Sequence, residues 1–110
     1  MSTFSTHVLD TARGCPAVDL PIRIEGRDGH GWILLDEGVT NNDGRVSLMP
    51  DGLEPGVYQL NFDTAEWFAA RGVKTFYPVV SIVFEITASD QHYHVPLLLS
   101  PYGYSTYRGS

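Results

Sequence analysis

Several side chains that could carry out hydrolytic chemistry occupy outward-facing positions of predicted strands: His7, Arg45, His92, His94 and Tyr107. A neutral imidazole can take a proton from water near pH 7. A guanidinium can hold a planar anion through two hydrogen bonds and stabilise developing negative charge, and a tyrosine can stack or donate. These residues are far apart along the chain, so spacing alone does not bring them together. If they do converge, they would combine a proton acceptor, an anion binder and an aromatic ring.

The same residues have simpler interpretations. An outward histidine is more often a solvated surface residue, and Arg45, beside a turn, could be solvated or pair with Asp43. His92 and His94 alternate on one strand face, so both imidazoles could reach one metal ion. No cysteine lies nearby and no third ligand is evident, so we predict no metal.

The C-terminal stretch, residues 92–110, carries His92, His94 and Tyr107. Its first half alternates with period two, which separates a core-facing set from an outward set. The core-facing set is Tyr93, Val95, Leu97 and Leu99, and the outward set is His92, His94, Pro96 and Leu98. An outward face that is half apolar is typical of an interface or a pocket wall. In the second half Ser105 and Tyr107 share a face, and the terminal carboxylate of Ser110 is expected close to Arg108.

Short alternating segments with turn signals between them predict an all-β sandwich. We predict eight strands, at residues 4–10, 21–25, 32–40, 45–48, 57–62 and 79–87 and in the two halves of residues 92–110. Residues 11–19 are predicted to be a loop, with Gly14 and Cys15-Pro16 as breakers. One short helix is predicted over residues 64–71, with Asp63 or Thr64 as its cap and Gly72 as its stop.

Bulk properties restrict the partners. We expect residues 1–110 to form a single domain. The formal net charge of −6 argues against nucleic acid or an anionic membrane, each of which needs a basic footprint. No apolar run reaches transmembrane length. The single cysteine, Cys15, permits no intramolecular disulfide, which makes the cytoplasm the expected location. With no basic partner in view, Cys15 is also a weak candidate nucleophile.

Three separated motifs identify a family resemblance. Ser-Thr-His-Val-Leu-Asp at residues 5–10, Asp-Gly-Arg at residues 43–45 and the ending over residues 92–110, which closes on Tyr-Arg-Gly-Ser, resemble the 5-hydroxyisourate hydrolases, the transthyretin-related enzymes of urate breakdown. The likeness covers essentially the whole chain. It implies a transthyretin-like sandwich of two four-stranded sheets, assembled as a homotetramer with substrate clefts at the subunit interface.

The resemblance also implies roles for individual residues. His7, Arg45 and His94 would carry the chemistry, and substrate would bind to His7, Arg45, Tyr107, Arg108 and Ser110. The two histidines would position and deprotonate a water that opens 5-hydroxyisourate to 2-oxo-4-hydroxy-4-carboxy-5-ureidoimidazoline. Arg45 would bind and polarise the planar ring, and no metal or organic cofactor would be needed. Either histidine could be the base.

Two other functions are compatible with such a sandwich. Transthyretin itself carries thyroid hormones in a central channel. The carriers resemble this chain broadly, but they have lysine at the position of His7 and threonine at the positions of His94 and Tyr107. An adhesion or carbohydrate-binding module would explain the sandwich but not the outward histidines and arginine. Such a module could be a monomer, which would lack the interface that the hydrolase site requires.

Overall fold

The computed structural model describes residues 1–109, which contain nine strands and one helix. The strands are β1 (Thr3–Asp10), β2 (Cys15–Pro16), β3 (Pro21–Asp28), β4 (Gly31–Val39), β5 (Arg45–Val46), β6 (Gly56–Phe62), β7 (Val80–Ile86), β8 (His92–Ser100) and β9 (Gly103–Thr106). The helix is α1 (Thr64–Ala69), between β6 and β7. The prediction of an all-β fold with one short helix is confirmed.

The strands form two sheets. The first has the order β2-β1-β8-β9, with β5 paired to β1, and the second has the order β4-β3-β6-β7. All pairings are antiparallel except that of β1 with β8. The sheets therefore contain five and four strands within residues 1–109, whereas the resemblance had implied four and four.

The additional strand is β2, which lies within residues 11–19, the segment predicted to be a loop. Gly14 adopts a φ of 69°, in the left-handed region that glycine tolerates best, and its N–H donates to the carbonyl of Asp10. The chain therefore turns back tightly, so that Cys15 pairs with Asp10 and Pro16 with Leu9. The prediction of eight strands was wrong by this one short strand, because the breaker residues form the turn rather than a long loop.

The core lies between the two sheets, and its residues are those that the period-two alternation predicts to face inward. Phe4, Val8, Tyr93, Val95, Leu97 and Leu99 are all buried, as the periodicity of β1 and β8 predicts. They pack against inward residues of the second sheet, including Ile22, Ile24, Leu60, Phe62, Ile82 and Ile86. A shift of either strand by one residue would move its apolar residues from the core to the outward face. Burial of these residues therefore determines which residues of β1 and β8 face outward.

The helix packs Trp67 and Phe68 into the core and is shorter than predicted. Asp63 stands at its N-terminus but makes no capping hydrogen bond, since its carboxylate accepts a 2.6 Å hydrogen bond from Arg23. At the other end Gly72 has a φ of 70°, and the N–H of Val73 donates to the carbonyl of Phe68, which is a Schellman-type ending. No helix within residues 1–109 is long and apolar enough to cross a membrane.

Candidate active site

His7 and Arg45 are direct cross-strand neighbours. His7 lies at the centre of β1 and pairs with Arg45, the first residue of β5. A compact turn delivers Arg45 to this position, because the side-chain oxygen of Asn41 accepts hydrogen bonds from the N–H groups of Asp43 and Arg45. Arg45 is exposed, and within residues 1–109 it makes no ion pair, with Asp43 or any other residue.

Gly44 allows the turn to approach β1 closely. Its φ is 75°, and its carbonyl accepts a 2.8 Å hydrogen bond from the N–H of Val8. A Cβ at this position would collide with the carbonyl oxygen of Val8 and come within 3.3 Å of the His7 ring. The Asp-Gly-Arg sequence therefore has a physical basis, since only glycine permits this approach beside His7.

His94 occupies the same sheet face as His7, one strand away. In the parallel register of β1 with β8, His94 is opposite Ser5, and His7 is opposite Pro96. One strand spacing combined with a two-residue rise separates positions 7 and 94 by roughly 8 Å. A small planar molecule could span that distance.

The His94 ring is half-buried and held by a hydroxyl group. Nδ1 of His94 lies 2.7 Å from Oγ of Ser5, and among the described residues Nε2 has no hydrogen-bond partner. Burial lowers the pKa of His94 below its ordinary value of 6.5, and electrostatic interactions with Arg45 and with the imidazoles of His92 and His7 lower it further. A hydrogen bond with the backbone of Ser5 acts in the opposite direction and raises the pKa of His94. His94 is therefore neutral at pH 7 and can accept a proton at Nε2.

A cleft of about 250 Å³ lies beside His94, past the end of β9. It is lined by Phe84, Glu85, Tyr93, His94, Val95, Thr106, Tyr107 and Arg108. Tyr107 is 58% exposed, so its ring is available to a bound molecule. His7 and Arg45 do not line this cleft but lie on the open face of the sheet.

Arg108 points away from the His7–Arg45 pair. Its guanidinium carbon lies 4.4 Å from the centre of the Tyr93 ring, and Nη2 donates a 3.2 Å hydrogen bond to Oε1 of Gln91. Ser110, the remaining predicted binding residue, lies outside the described residues. The described chain thus brings His7, Arg45 and His94 onto one face, with Tyr107 beside His94 and Arg108 turned toward Tyr93.

Two hydroxyl residues at this site were not predicted from the sequence. Ser5 bridges His92 and His94, and Thr3 lies 2.6 Å from Nδ1 of His92. Both hydroxyls share the outward face of β1 with His7, which was the only sequence signal for them. No third histidine, cysteine or acidic ligand joins His92 and His94 within residues 1–109.

The same sheet face becomes apolar beyond His7. Pro96 is buried, and Leu9 and Leu98 are half-buried, although all three point away from the core. The candidate site therefore lies at the boundary between a polar and an apolar part of one open surface, which agrees with the predicted half-apolar face.

Comparisons with known proteins identify relatives of this chain. The model of the HIUase/Transthyretin family matches residues 4–109. A 5-hydroxyisourate hydrolase of Mus musculus is 48% identical over 99% of this chain and 96% of its own length. The solved structure of 5-hydroxyisourate hydrolase from Klebsiella pneumoniae aligns over all of both chains, with a TM-score of 0.89 and 39% identity.

A relative solved with bound thyroxine also matches in fold. Sea bream transthyretin, solved in complex with thyroxine, has a TM-score of 0.90 and 28% identity, covering 96% of this chain and 93% of its own. A hydrolase and a protein solved with bound thyroxine therefore share this sandwich, so the fold alone does not identify the function.

Proposed function

Because the chain belongs to the HIUase/transthyretin family, we propose that its function is the hydrolysis of 5-hydroxyisourate to 2-oxo-4-hydroxy-4-carboxy-5-ureidoimidazoline in urate breakdown. The higher identity to hydrolases than to the transthyretin supports an enzyme of this activity. The observation that carries the proposal is the presence of His7, Arg45 and a neutral His94 on one open sheet face.

His94 is the base in this scheme. Its Nε2 takes one proton from water while the water oxygen bonds to a ring carbonyl carbon. The C–N bond then breaks, its electron pair goes to the nitrogen, and that nitrogen takes up a proton. The carboxylic acid so formed ionises at pH 7, because such acids have pKa values near 4.

Arg45 binds the planar ring and stabilises the negative charge that develops on the carbonyl oxygen. Its exposed guanidinium, which has no ion-pair partner within residues 1–109, is available for this role. His7 orients the substrate or the water from the neighbouring position. Tyr107 contributes a ring wall, and Arg108 and Ser110 complete the binding end of the site. Groups of the protein itself bind the substrate and transfer the protons in this scheme, which includes no metal or cofactor.

The assembly in this proposal is a homotetramer with the site at a subunit interface. The apolar part of the open face, around Leu9, Pro96 and Leu98, supports coverage by another copy of the chain. Residues 1–110 act as a single domain, which the family match over residues 4–109 supports. The partners are a small purine-derived substrate and copies of the chain, without nucleic acid or membrane. The compartment is the cytoplasm, for which the unpaired Cys15 is suited.

The test is an ultraviolet time course of 5-hydroxyisourate generated in place from urate by urate oxidase. The substrate decays spontaneously, so a trace without the protein is the necessary control. Decay that accelerates in proportion to protein concentration supports the hydrolase. Traces that overlay the control, together with tight thyroxine binding in a titration, would instead identify a carrier.

A further inference from the structure

Four side chains on the polar part of the open face form a continuous hydrogen-bonded chain. Oγ1 of Thr3 lies 2.6 Å from Nδ1 of His92, and Nε2 of His92 lies 2.8 Å from Oγ of Ser5. Oγ of Ser5 in turn lies 2.7 Å from Nδ1 of His94. The two imidazole rings are stacked, with their centres 6.5 Å apart and an angle of 16° between them. The chain connects the exposed residues Thr3 and His92 to the half-buried His94.

Proton counting allows only two arrangements of this chain. A hydroxyl has one proton and a neutral imidazole has one N–H. In each hydrogen bond of the chain, therefore, one partner donates its proton and the other accepts. In the first arrangement His94 donates from Nδ1 to Ser5, Ser5 donates to Nε2 of His92, and His92 donates from Nδ1 to Thr3. In the second arrangement every donation is reversed. Both histidines therefore carry their proton on the same ring nitrogen in either arrangement.

The two arrangements give His94 opposite chemical roles. In the first, Nε2 of His94 has a free lone pair and can accept a proton from water. In the second, Nε2 carries the proton and can donate it to the leaving nitrogen. Transfer of one proton along each link converts the first arrangement into the second, with one proton entering at His94 and one leaving to solvent at Thr3.

We propose that Thr3, Ser5 and His92 form a proton relay that switches His94 between base and acid without creating a charged His94 imidazolium. The inference rests on the proposed hydrolytic function. When water is deprotonated at Nε2, the relay releases one proton to solvent. When Nε2 protonates the leaving nitrogen, the relay takes one proton back, so the count over both steps is zero. Ser5 and His92 are positioning residues in this scheme, because they act through His94.

The surroundings of His94 explain why a relay is useful. Arg45 on β5, His7 on β1 and His92 on β8 share the sheet face of His94. The terminal segment adds Tyr107 and Arg108 along the shared cleft. A positive His94 would be repelled by Arg45, the group that stabilises the negative charge developing on the carbonyl oxygen in this scheme. A relay that keeps His94 neutral avoids this repulsion.

The first test is independent of substrate and uses nitrogen-15 NMR of the histidine rings at a pH where both are neutral. We expect His92 and His94 to show the same tautomer, and Ser5→Ala to remove this correspondence. Opposite tautomers in the unsubstituted chain would overturn the relay. Because no turnover is involved, this result stands whether or not 5-hydroxyisourate is the substrate.

The second test measures hydrolysis by Ser5→Ala, Ser5→Thr and His92→Gln. Ser5→Ala and His92→Gln should lower kcat by about tenfold or more. The loss should be smaller than the 10²–10⁴-fold that a general base contributes, and KM should stay nearly unchanged. Ser5→Thr keeps the hydroxyl and should restore kcat. His30→Gln, at an exposed position in the turn between β3 and β4, is the matched control and should behave like the unsubstituted chain.

A proton inventory in mixtures of H₂O and D₂O separates a relay from a structural role. The unsubstituted chain should give a curved dependence of kcat on deuterium fraction, because several protons move together, and His92→Gln should give a linear one. His92 is exposed, so this variant should fold. A linear inventory in the unsubstituted chain, or variants that raise KM alone, would overturn the relay. An unsubstituted chain without any hydrolysis would overturn the proposed function itself.

Discussion

Gly109 packs directly against the ring of His94. Its N–H donates a 2.8 Å hydrogen bond to the His94 carbonyl, and a Cβ at this position would lie 2.5 Å from Cδ2 of the ring. The terminal segment is thus joined to β8 beyond the last residue of β9. Any side chain at position 109 must displace either the segment or the imidazole, so the glycine fixes the position of Tyr107 relative to His94.

Gly109→Ala should lower the hydrolysis of 5-hydroxyisourate and leave the fold intact. We expect kcat/KM to fall by about 10- to 100-fold, since displacement of a catalytic group by about 1 Å has effects of that size. The thermal midpoint should change little, because Gly109 lies outside the core. Gly103→Ala is the matched control, as its Cβ would meet only Oγ of Ser100 at 3.6 Å. Equal activity of both variants would show that the terminal segment does not position His94.

Arg45→Ala should abolish most of the activity without unfolding the chain. The guanidinium is exposed and makes no ion pair within residues 1–109, so its loss removes no structural contact of that kind. We expect kcat/KM to fall by about 10²–10³, as for the loss of a group that stabilises an oxyanion. Steady-state kinetics and circular dichroism provide the measurement.

Arg45→Lys and Arg13→Ala complete that experiment. Lysine keeps the charge but loses the two-pronged geometry, so Arg45→Lys should recover only part of the activity. Arg13 is exposed in the turn between β1 and β2 and serves as the control for the loss of a surface arginine. An Arg45→Ala variant as active as Arg13→Ala would show that Arg45 does not belong to the active site.

The sequence predicted the sheet faces well because alternation with period two is a local property. It placed His7 and His94 outward and the core residues of β1 and β8 inward. It did not predict β2, since the residues after the Gly14 turn form a strand only through their pairing with β1, which the local composition does not reveal. A strand of two residues is also too short to show any periodicity.

The hydroxyl contacts of the site could not be predicted from the sequence for a different reason. Ser5 and His94 are 89 residues apart and meet only because β1 and β8 are parallel and in one particular register. No local pattern encodes that register. Strand periodicity singled out His7, Arg45 and His94, and the family resemblance implied their catalytic roles, but it implied no role for Thr3 or Ser5.

The lowered pKa of His94 predicts a pH dependence of stability. In the unfolded chain a histidine has a pKa of about 6.5, whereas burial and then Arg45 hold the folded value lower. As the pH falls below about 6.5, the unfolded chain binds the proton first, so the free energy of unfolding should decrease toward the folded pKa. Above that range His94 is neutral in both states and contributes no slope.

His94→Gln should flatten this part of the stability curve. Urea unfolding from pH 8 down to pH 5 measures the slope, and the values at pH 8 provide the internal reference. The same lowered pKa should place the acid limb of kcat/KM in the unsubstituted enzyme below pH 6.5, because a protonated His94 cannot act as the base. An acid limb above pH 6.5 would contradict the assignment of His94 as the base.

Leu98→Glu should separate the proposed tetramer and reduce activity together with it. Leu98 is half-buried on the outward face of β8, opposite Leu9 of β1, and a carboxylate there would be desolvated by a second copy of the chain. Sedimentation should show the unsubstituted protein at four times the 12.2 kDa chain mass and the variant at a lower multiple. Leu34→Glu introduces the same charge at an exposed position of the other sheet and should leave both properties unchanged. If Leu98→Glu were monomeric and fully active, the site would be complete in one chain, and the open face that holds His7, Arg45 and His94 would need no covering subunit.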